Sequence, residues 1–281
     1  MLDSKAWVIS TKGKKFVPLL RRYSIIMESV MKFRICLFRY TVVLIALTVF
    51  ALTPSASQLH MKLGGGLGVS SPASDFSGST LEYYNGSNYG LGSGLTFQAK
   101  AKIGLSGWNL AGEIDYSSFS NTGNSEPGQG TVDISLKILS LQVGPEFRFS
   151  IPALPFTPYI GAHLSVNRFS GETMFRGVSK VPSATYSMQD ATRFGLGFSA
   201  GAEVSISPFL SLDFNASYNL MNVFGKEWND VNPGINQRID SYLSLNDSAD
   251  PQFSAGDDKH VIPQARSIRS MLFTVSLLFD L

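Results

Sequence analysis

The sequence predicts an all-β fold, an eight-stranded antiparallel up-and-down barrel, on three observations. Apolar residues recur with period two from Gln58 to Leu281, with no sustained run at helical spacing. Eight such segments are each long enough to cross a bilayer, which takes about 9–11 tilted residues. The links between them alternate between tight and long, so that all the long loops of a meander fall at one end.

The segments run in order near 61–69, 91–103, 108–119, 131–149, 158–169, 192–206, 209–221 and 267–281. In the first, Met61, Leu63, Leu67 and Val69 oppose Lys62, Gly64, Gly66 and Gly68. Leu95, Phe97, Ala99, Ala101 and Ile103 oppose Thr96, Gln98, Lys100 and Lys102 in the second; Leu110, Ile114 and Tyr116 oppose Ala111, Glu113 and Asp115 in the third. The fourth alternates twice: Val132, Ile134, Leu136 and Ile138 share a face, then Leu139, Leu141, Val143, Phe147 and Phe149 follow after a slip of one residue. A β-bulge near Ile138 and Leu139 is expected to return both rows to one face. The fifth sets Ile160, Ala162, Leu164 and Val166 against His163 and Ser165; the sixth sets Phe194, Leu196 and Phe198 against Gly195, Gly197 and Glu203. The seventh sets Leu210, Leu212 and Phe214 against Ser211 and Asp213. In the last, Met271, Phe273, Val275, Leu277, Phe279 and Leu281 are apolar without exception. Short links at 104–107, 150–157 and 207–208 separate long polar stretches at 70–90, 120–130, 170–191 and 222–266, the last of which is long enough to hold an extra hairpin or helix.

The chain has 281 residues, 44% hydrophobic and 16% charged, with one cysteine, which excludes a disordered tail and a disulfide scaffold. Its net charge of +2 conceals an asymmetry: residues 1–57 carry nine Lys and Arg against two Asp and Glu, leaving fourteen basic and nineteen acidic residues beyond. A nucleic-acid partner is therefore disfavoured, because phosphate binding needs basic charge on the folded body.

Within that basic front, Met31 to Arg39 precede an uncharged apolar run from Tyr40 to Leu52 and then Thr53-Pro54-Ser55-Ala56-Ser57. Thirteen apolar residues fall short of the roughly 20 that a spanning helix requires. Residues 31–57 are thus expected to be a secretory signal peptide cleaved after Ser57, with 1–30 an upstream extension and 58–281 the barrel. Cys36 lies before the apolar run rather than after it, where a lipoprotein cysteine stands, so the mature chain carries no thiol.

Periodicity alone does not decide whether the apolar face meets a protein core or hydrocarbon. The export signal, the glycines on the charged face and the aromatic residues near strand ends (Trp108, Tyr116, Phe147, Phe149, Tyr218, Phe279) favour hydrocarbon. The opposite face then becomes a lumen in which Lys62, Lys100, Lys102, Lys137 and Arg148 interlock with Glu113, Asp115, Glu146, Glu203, Asp213 and Asp280, joined by His163. Eight strands enclose a space that side chains fill.

These segments resemble the small outer-membrane β-barrels of Gram-negative bacteria, of the outer-membrane protein A or X kind, above all those made of a barrel alone. Thr157-Pro158-Tyr159-Ile160-Gly161-Ala162 looks like a strand opening common in that group. Phe273, Val275, Leu277, Phe279 and Leu281 are similar to its C-terminal assembly signal, with Leu281 in place of the usual terminal aromatic residue. The resemblance implies the outer membrane, its lipids as surroundings, the barrel-assembly machinery as a partner during insertion, and a monomer with short periplasmic turns and long extracellular loops.

Chemistry is sparse. His60, His163 and His260 occupy no nucleophile setting, and His163 with Ser165 reads as lumen hydrogen bonding. Asp247, Asp250, Asp257 and Asp258 meet no calcium-loop spacing, and Gly64-Gly65-Gly66 and Gly195-x-Gly197 open no helix that would hold a phosphate. No cofactor or metal is expected. The expected role is non-enzymatic, structural or surface-interacting through the external loops. A narrow porin-like channel, a lipid-modifying outer-membrane enzyme and a soluble periplasmic barrel for a small apolar ligand are the alternatives.

Overall fold

The structure is a computed structural model that describes residues 59–281, apart from 106, 127–128, 153, 232–237 and 257–258. The expected signal peptide, the upstream extension, Cys36 and the Asp257-Asp258 pair lie outside the described residues. Eight strands, β1 (His60–Ala73), β2 (Gly94–Leu105), β3 (Trp108–Gly123), β4 (Thr131–Arg148), β5 (Thr157–Arg176), β6 (Ala184–Ser207), β7 (Leu210–Phe224) and β8 (Arg269–Asp280), form a closed barrel in sequence order. Every neighbouring pair is antiparallel, and β1 closes on β8 with Lys62 opposite Asp280 and Ala73 opposite Arg269. Closure leaves no unpaired sheet edge along the wall, the condition for a strand in hydrocarbon.

The apolar rows point outward. Leu63, Leu67, Phe97, Leu110, Leu141, Leu164, Phe198 and Phe273 are all exposed, whereas Lys100, Lys102, Asp115 and Asp213 are buried on the opposite face. This orientation rules out the soluble-barrel alternative, in which the greasy face would fill the interior. On β4 the outward apolar row runs from Leu139 to Phe147. Nine residues at about 3.3 Å each, tilted by about 40°, rise roughly 23 Å, the height of an outer-membrane apolar band. Trp108, Phe147 and Phe149 pack at the short-turn edge of that band, tilted and edge-to-face, with ring centroids 4.7 and 4.8 Å apart.

Two expectations are corrected. The bulge near Ile138 and Leu139 does not exist: β4 holds continuous register from Thr131 opposite Arg176 to Val143 opposite Leu164, and likewise against β3. What the sequence shows as a slip is a change of surroundings. Val132, Ile134, Leu136 and Ile138 are buried inside, beyond the bilayer, while Leu139, Leu141 and Val143 are exposed outside, within it. The register irregularities lie instead between Phe169 and Gly171 of β5, and at Phe194/Leu196 and Ser205/Ser207 of β6. The second correction concerns the connections. The stretch 170–191 is mostly strand and 120–130 begins as strand, because Asn121, Thr173 and Phe175 continue the inward row and keep β3, β5 and β6 paired past the lipid. The links there shrink to 124–130 and 177–183, leaving 74–93 and 225–268 as the long loops. The first holds a short helix, Thr80–Tyr84, closed by a capping box between Ser79 and Glu82; in the second the described secondary structure is a 3-10 turn, Arg238–Tyr242.

The two ends of β4 give a direct test of orientation. Val143→Arg sets a guanidinium against acyl chains and is expected to destabilise the barrel by about 2–4 kcal/mol, whereas Ser135→Arg, on the same face but beyond the band, should cost about 1 kcal/mol or less. Urea titration of protein folded into lipid vesicles reads both.

Candidate functional site

The interior is built in two storeys. In the lower one, between the tight turns and mid-barrel, inward positions of β1 to β8 carry the charges. Lys100 lies 2.9 Å from Glu113 and 2.7 Å from Asp213. Lys102 lies 3.0 Å from Glu146 and 3.2 Å from Asp213, with its ammonium 4.2 Å above the Tyr159 ring. Lys62 pairs with Glu203 and with Asp280 at 3.2 Å, and Arg148 reaches Glu203 at 3.3 Å. Both Lys100 and Lys102 are fully enclosed, which is affordable only because each ammonium meets at least two carboxylates. Asp115 is satisfied differently: Gln98 donates to it at 2.9 Å and Gln142 at 2.6 Å, and the same Gln98 amide donates to Glu113. His163 bonds Asn219 at 2.8 Å. Glycine is needed beside it, since a Cβ on Gly197 would collide with the His163 ring, and one on Gly201 with the Tyr159 ring.

Eleven of the twelve residues expected in the lumen are therefore brought together inside: Lys62, Lys100, Lys102, Glu113, Asp115, Glu146, Arg148, His163, Glu203, Asp213 and Asp280. Lys137 is not. It stands outside and exposed on β4, because without a bulge its parity is that of Leu139 and Leu141. The belt thus holds four cations against six carboxylates.

The upper storey is apolar and lies beyond the bilayer. Phe119, Val132, Ile134, Leu136, Ile138, Phe169 and Phe175 line the wall, and the two long loops fold in against them through Phe76, Tyr84, Tyr89, Tyr242 and Leu245. Phe76 meets Phe119 edge-on at 5.1 Å, and Phe175 lies 4.8 Å from Tyr242. In the cap each of the three buried phenols finds an acceptor: Tyr84 donates to Ser179 O, Tyr89 to Leu245 O and Tyr242 to Tyr84 O. A buried clasp ties the second loop to the wall. Arg193, on the inward face of β6, grips Asp247 through Nε and Nη2 at 3.0 and 2.9 Å and reaches Glu227 at 2.7 Å, while Asn222 donates to Asp247 at 2.9 Å. Arg266 stacks over Tyr89 at 4.1 Å. The sequence reading missed this clasp, although Arg193 sits two residues before Gly195 on the same face and so carries the signal.

Little space is left. A cavity of about 30 Å³ beneath the cap, lined by Tyr83, Tyr89, Leu136, Thr173, Tyr242 and Arg266, has room for a water or two. Another, of about 10 Å³ beside Glu113, Gln142, Glu146 and His163, is smaller still. Among the described residues no group of His, Cys, Asp and Glu has the arrangement of a metal site.

The family described as "Outer membrane protein beta-barrel domain" matches residues 42–237, well over half of the chain. The chain belongs to that family. It is an outer-membrane β-barrel protein, with membrane lipid around its apolar band; strand β8 lies past the matched range and completes the ring. Among solved structures, Neisserial surface protein A is 16% identical, covering 81% of this chain and 100% of its own, with a TM-score of 0.42. OprG from Pseudomonas aeruginosa is 10% identical, covering 80% of this chain and 97% of its own, with a TM-score of 0.42. The N-terminal β-barrel domain of Pseudomonas aeruginosa OprF is 7% identical, covering 80% and 100%, with a TM-score of 0.37. No curated protein matches the chain.

Two measurements probe the storeys separately. Asp213→Asn leaves the buried Lys100 and Lys102 each short of a carboxylate and is expected to cost about 3–5 kcal/mol in vesicle unfolding. The cap answers to high pH. Burial pushes the Tyr89 and Tyr242 phenols above the usual tyrosine range, with Arg266 pulling Tyr89 partly back and Arg238 doing the same to Tyr242. Unfolded tyrosine ionises near pH ~10, so the stability that the buried phenols contribute is complete below that value and declines as the pH rises past it. Near-UV circular dichroism is expected to hold steady to about pH 9.5 and to fall above about pH 10.5, while tyrosinate absorbance from the buried rings lags behind that of exposed ones.

Proposed function

We propose that this outer-membrane protein is non-enzymatic and acts through the surface that its extracellular end presents, with a closed lumen that passes no solutes. The observation that carries this reading is the double filling of the interior. The ionic belt occupies the lower storey, and the loop cap held by Arg193 and Asp247 occupies the upper one. Below the cap, strand walls stand clear of the lipid on β4 and β5, where Asp133, Ser135, Glu172 and Arg176 face outward into water and form a rigid platform. A platform stiffened by a packed core suits a binding or structural role better than a gate does.

Against the lipid-modifying alternative stand the positions of the two residues it would need. His163 and Ser165 face the lumen, not the lipid, and each is engaged in the wall: His163 with Asn219, Ser165 with Asn167 at 3.0 Å. Export by a signal peptide at 31–57, insertion through recognition of Phe273, Val275, Leu277, Phe279 and Leu281 by the assembly machinery, and a monomeric state complete the proposal. Four of those side chains lie exposed on the lipid side of the closing strand and Leu281, also exposed, directly follows it, where a docking factor has access before the ring shuts.

Planar-bilayer recordings test the closed lumen. The folded protein is expected to give no reproducible conductance steps; regular steps well above the bare-bilayer baseline would transfer the assignment to the porin-like reading.

A further inference from the structure

The outward face of the wall changes character at one level. On β4, Leu139 is the last apolar residue before Lys137; on β5, Val166 is the last before Arg168; on β8, Met271 is the last before Arg269. Register makes the first two cations diagonal neighbours, because Lys137 lies opposite Ser170 and Arg168 opposite Leu139 on paired strands. Lys137 also faces Ser118 across the β3–β4 ladder, and Ser118 in turn faces Leu95. Next to them an open groove of about 340 Å³ has Val69 and Leu95 at its apolar floor and Ser93, Ser118 and Ser120 along its polar wall. Hydroxyls and cations thus form a collar directly above an apolar surface.

The opposite rim is built otherwise. Among the described residues it turns Met61, Trp108, Phe147, Phe149, Phe209 and Phe279 outward and no cation, since Lys62 and Arg148 point into the lumen. The cations facing the bilayer are therefore confined to the long-loop side, the outer leaflet in this orientation. Arg168 carries Asp190 at 2.6 Å, with both side chains exposed, and Lys137 makes no ion pair among the described residues. An exposed pair of that kind adds little stability, so a stronger anion can take the guanidinium.

We propose that this collar is a docking surface for the phosphorylated headgroup of an outer-leaflet lipid. Lys137 and Arg168 contact the phosphate, the groove hydroxyls bond the polar headgroup, and the acyl chains lie on Leu139, Leu141 and Val166 below. Three observations select this occupant. The collar is continuous with the lipid-facing band, its cations match a phosphate in charge, and its floor is apolar where a chain would leave the headgroup.

Native mass spectrometry of the folded protein in neutral detergent with EDTA tests it, using a bis-phosphorylated lipid A, the same lipid dephosphorylated, and inorganic pyrophosphate as separate probes. Wild type is expected to retain the phosphorylated lipid over both others. Removing each cation should cost about fivefold in retained adduct, in Lys137→Gln and Arg168→Gln singly and compounded in the pair. Arg176→Ala, four outward-facing positions beyond Arg168 at the far end of β5 and outside the collar, should leave retention unchanged. Heat-modifiable gel mobility verifies that each variant is folded; should the double variant fail to fold, the two single variants decide. Equal retention by the Gln variants, equal retention of the dephosphorylated lipid, or binding of pyrophosphate as strong as that of the lipid would each overturn the proposal.

Discussion

Hydrocarbon offers a backbone amide no partner, and the structure follows from that deficit. A strand in lipid has to pair on both edges, so the sheet must close, and β1 meets β8 through twelve residue pairs from Lys62 with Asp280 to Ala73 with Arg269. Closure at eight strands then fixes a narrow interior. Whatever side chains the pleat turns inward become neighbours across that interior, whichever strands they come from. Lys100 of β2 meets Asp213 of β7, and Lys62 of β1 meets Glu203 of β6, residues more than a hundred positions apart in sequence. The ion-pair belt is therefore a product of topology. Lys100 and Glu113 do face each other across the β2–β3 hairpin, but the other ion pairs of the belt join residues far apart in sequence.

The same geometry explains how much could be read from the chain alone. Period-two alternation reports which residues share a face, and the eleven lumen residues share one because nothing in their strands shifts the phase between them. Alternation does not report what surrounds a face at a given height. On β4 the inward row is apolar from Val132 to Ile138 and polar from Ser140 to Glu146, while the outward row changes in the opposite sense. Read as a strand in one medium, that sequence demands a bulge, and Lys137 falls on the wrong side. Read as a strand crossing from water into lipid, it is regular. Strand ends were illegible for a related reason: Thr173 and Phe175 look like loop when a strand is assumed to stop where the bilayer stops.

The cap shows where local patterning gives no information at all. Phe76, Tyr89, Tyr242 and Leu245 belong to polar, irregular stretches, and their burial depends on an upper wall that extends far enough to receive them. Among its described residues, the loop at 225–268 has little regular structure of its own to order it. Its described part is held by side chains, chiefly the buried Arg193 and Asp247 pair, with Asn222 and Arg266 bonding its backbone. A long loop can be fixed in this way because the costly step, burying a guanidinium, is offset by a bidentate carboxylate and two further acceptors.

The inversion between Ile138 and Leu139 also acts as a depth gauge. Sliding the barrel outward by one outward-facing position would bring Leu139 into water, and sliding it inward would draw Lys137 into oil; both moves are resisted. One such step is about 5 Å along the bilayer normal for a tilted strand. A bilayer thicker or thinner than the band must therefore bend to meet the protein, which makes this wall a fixed point around which the surrounding leaflet deforms.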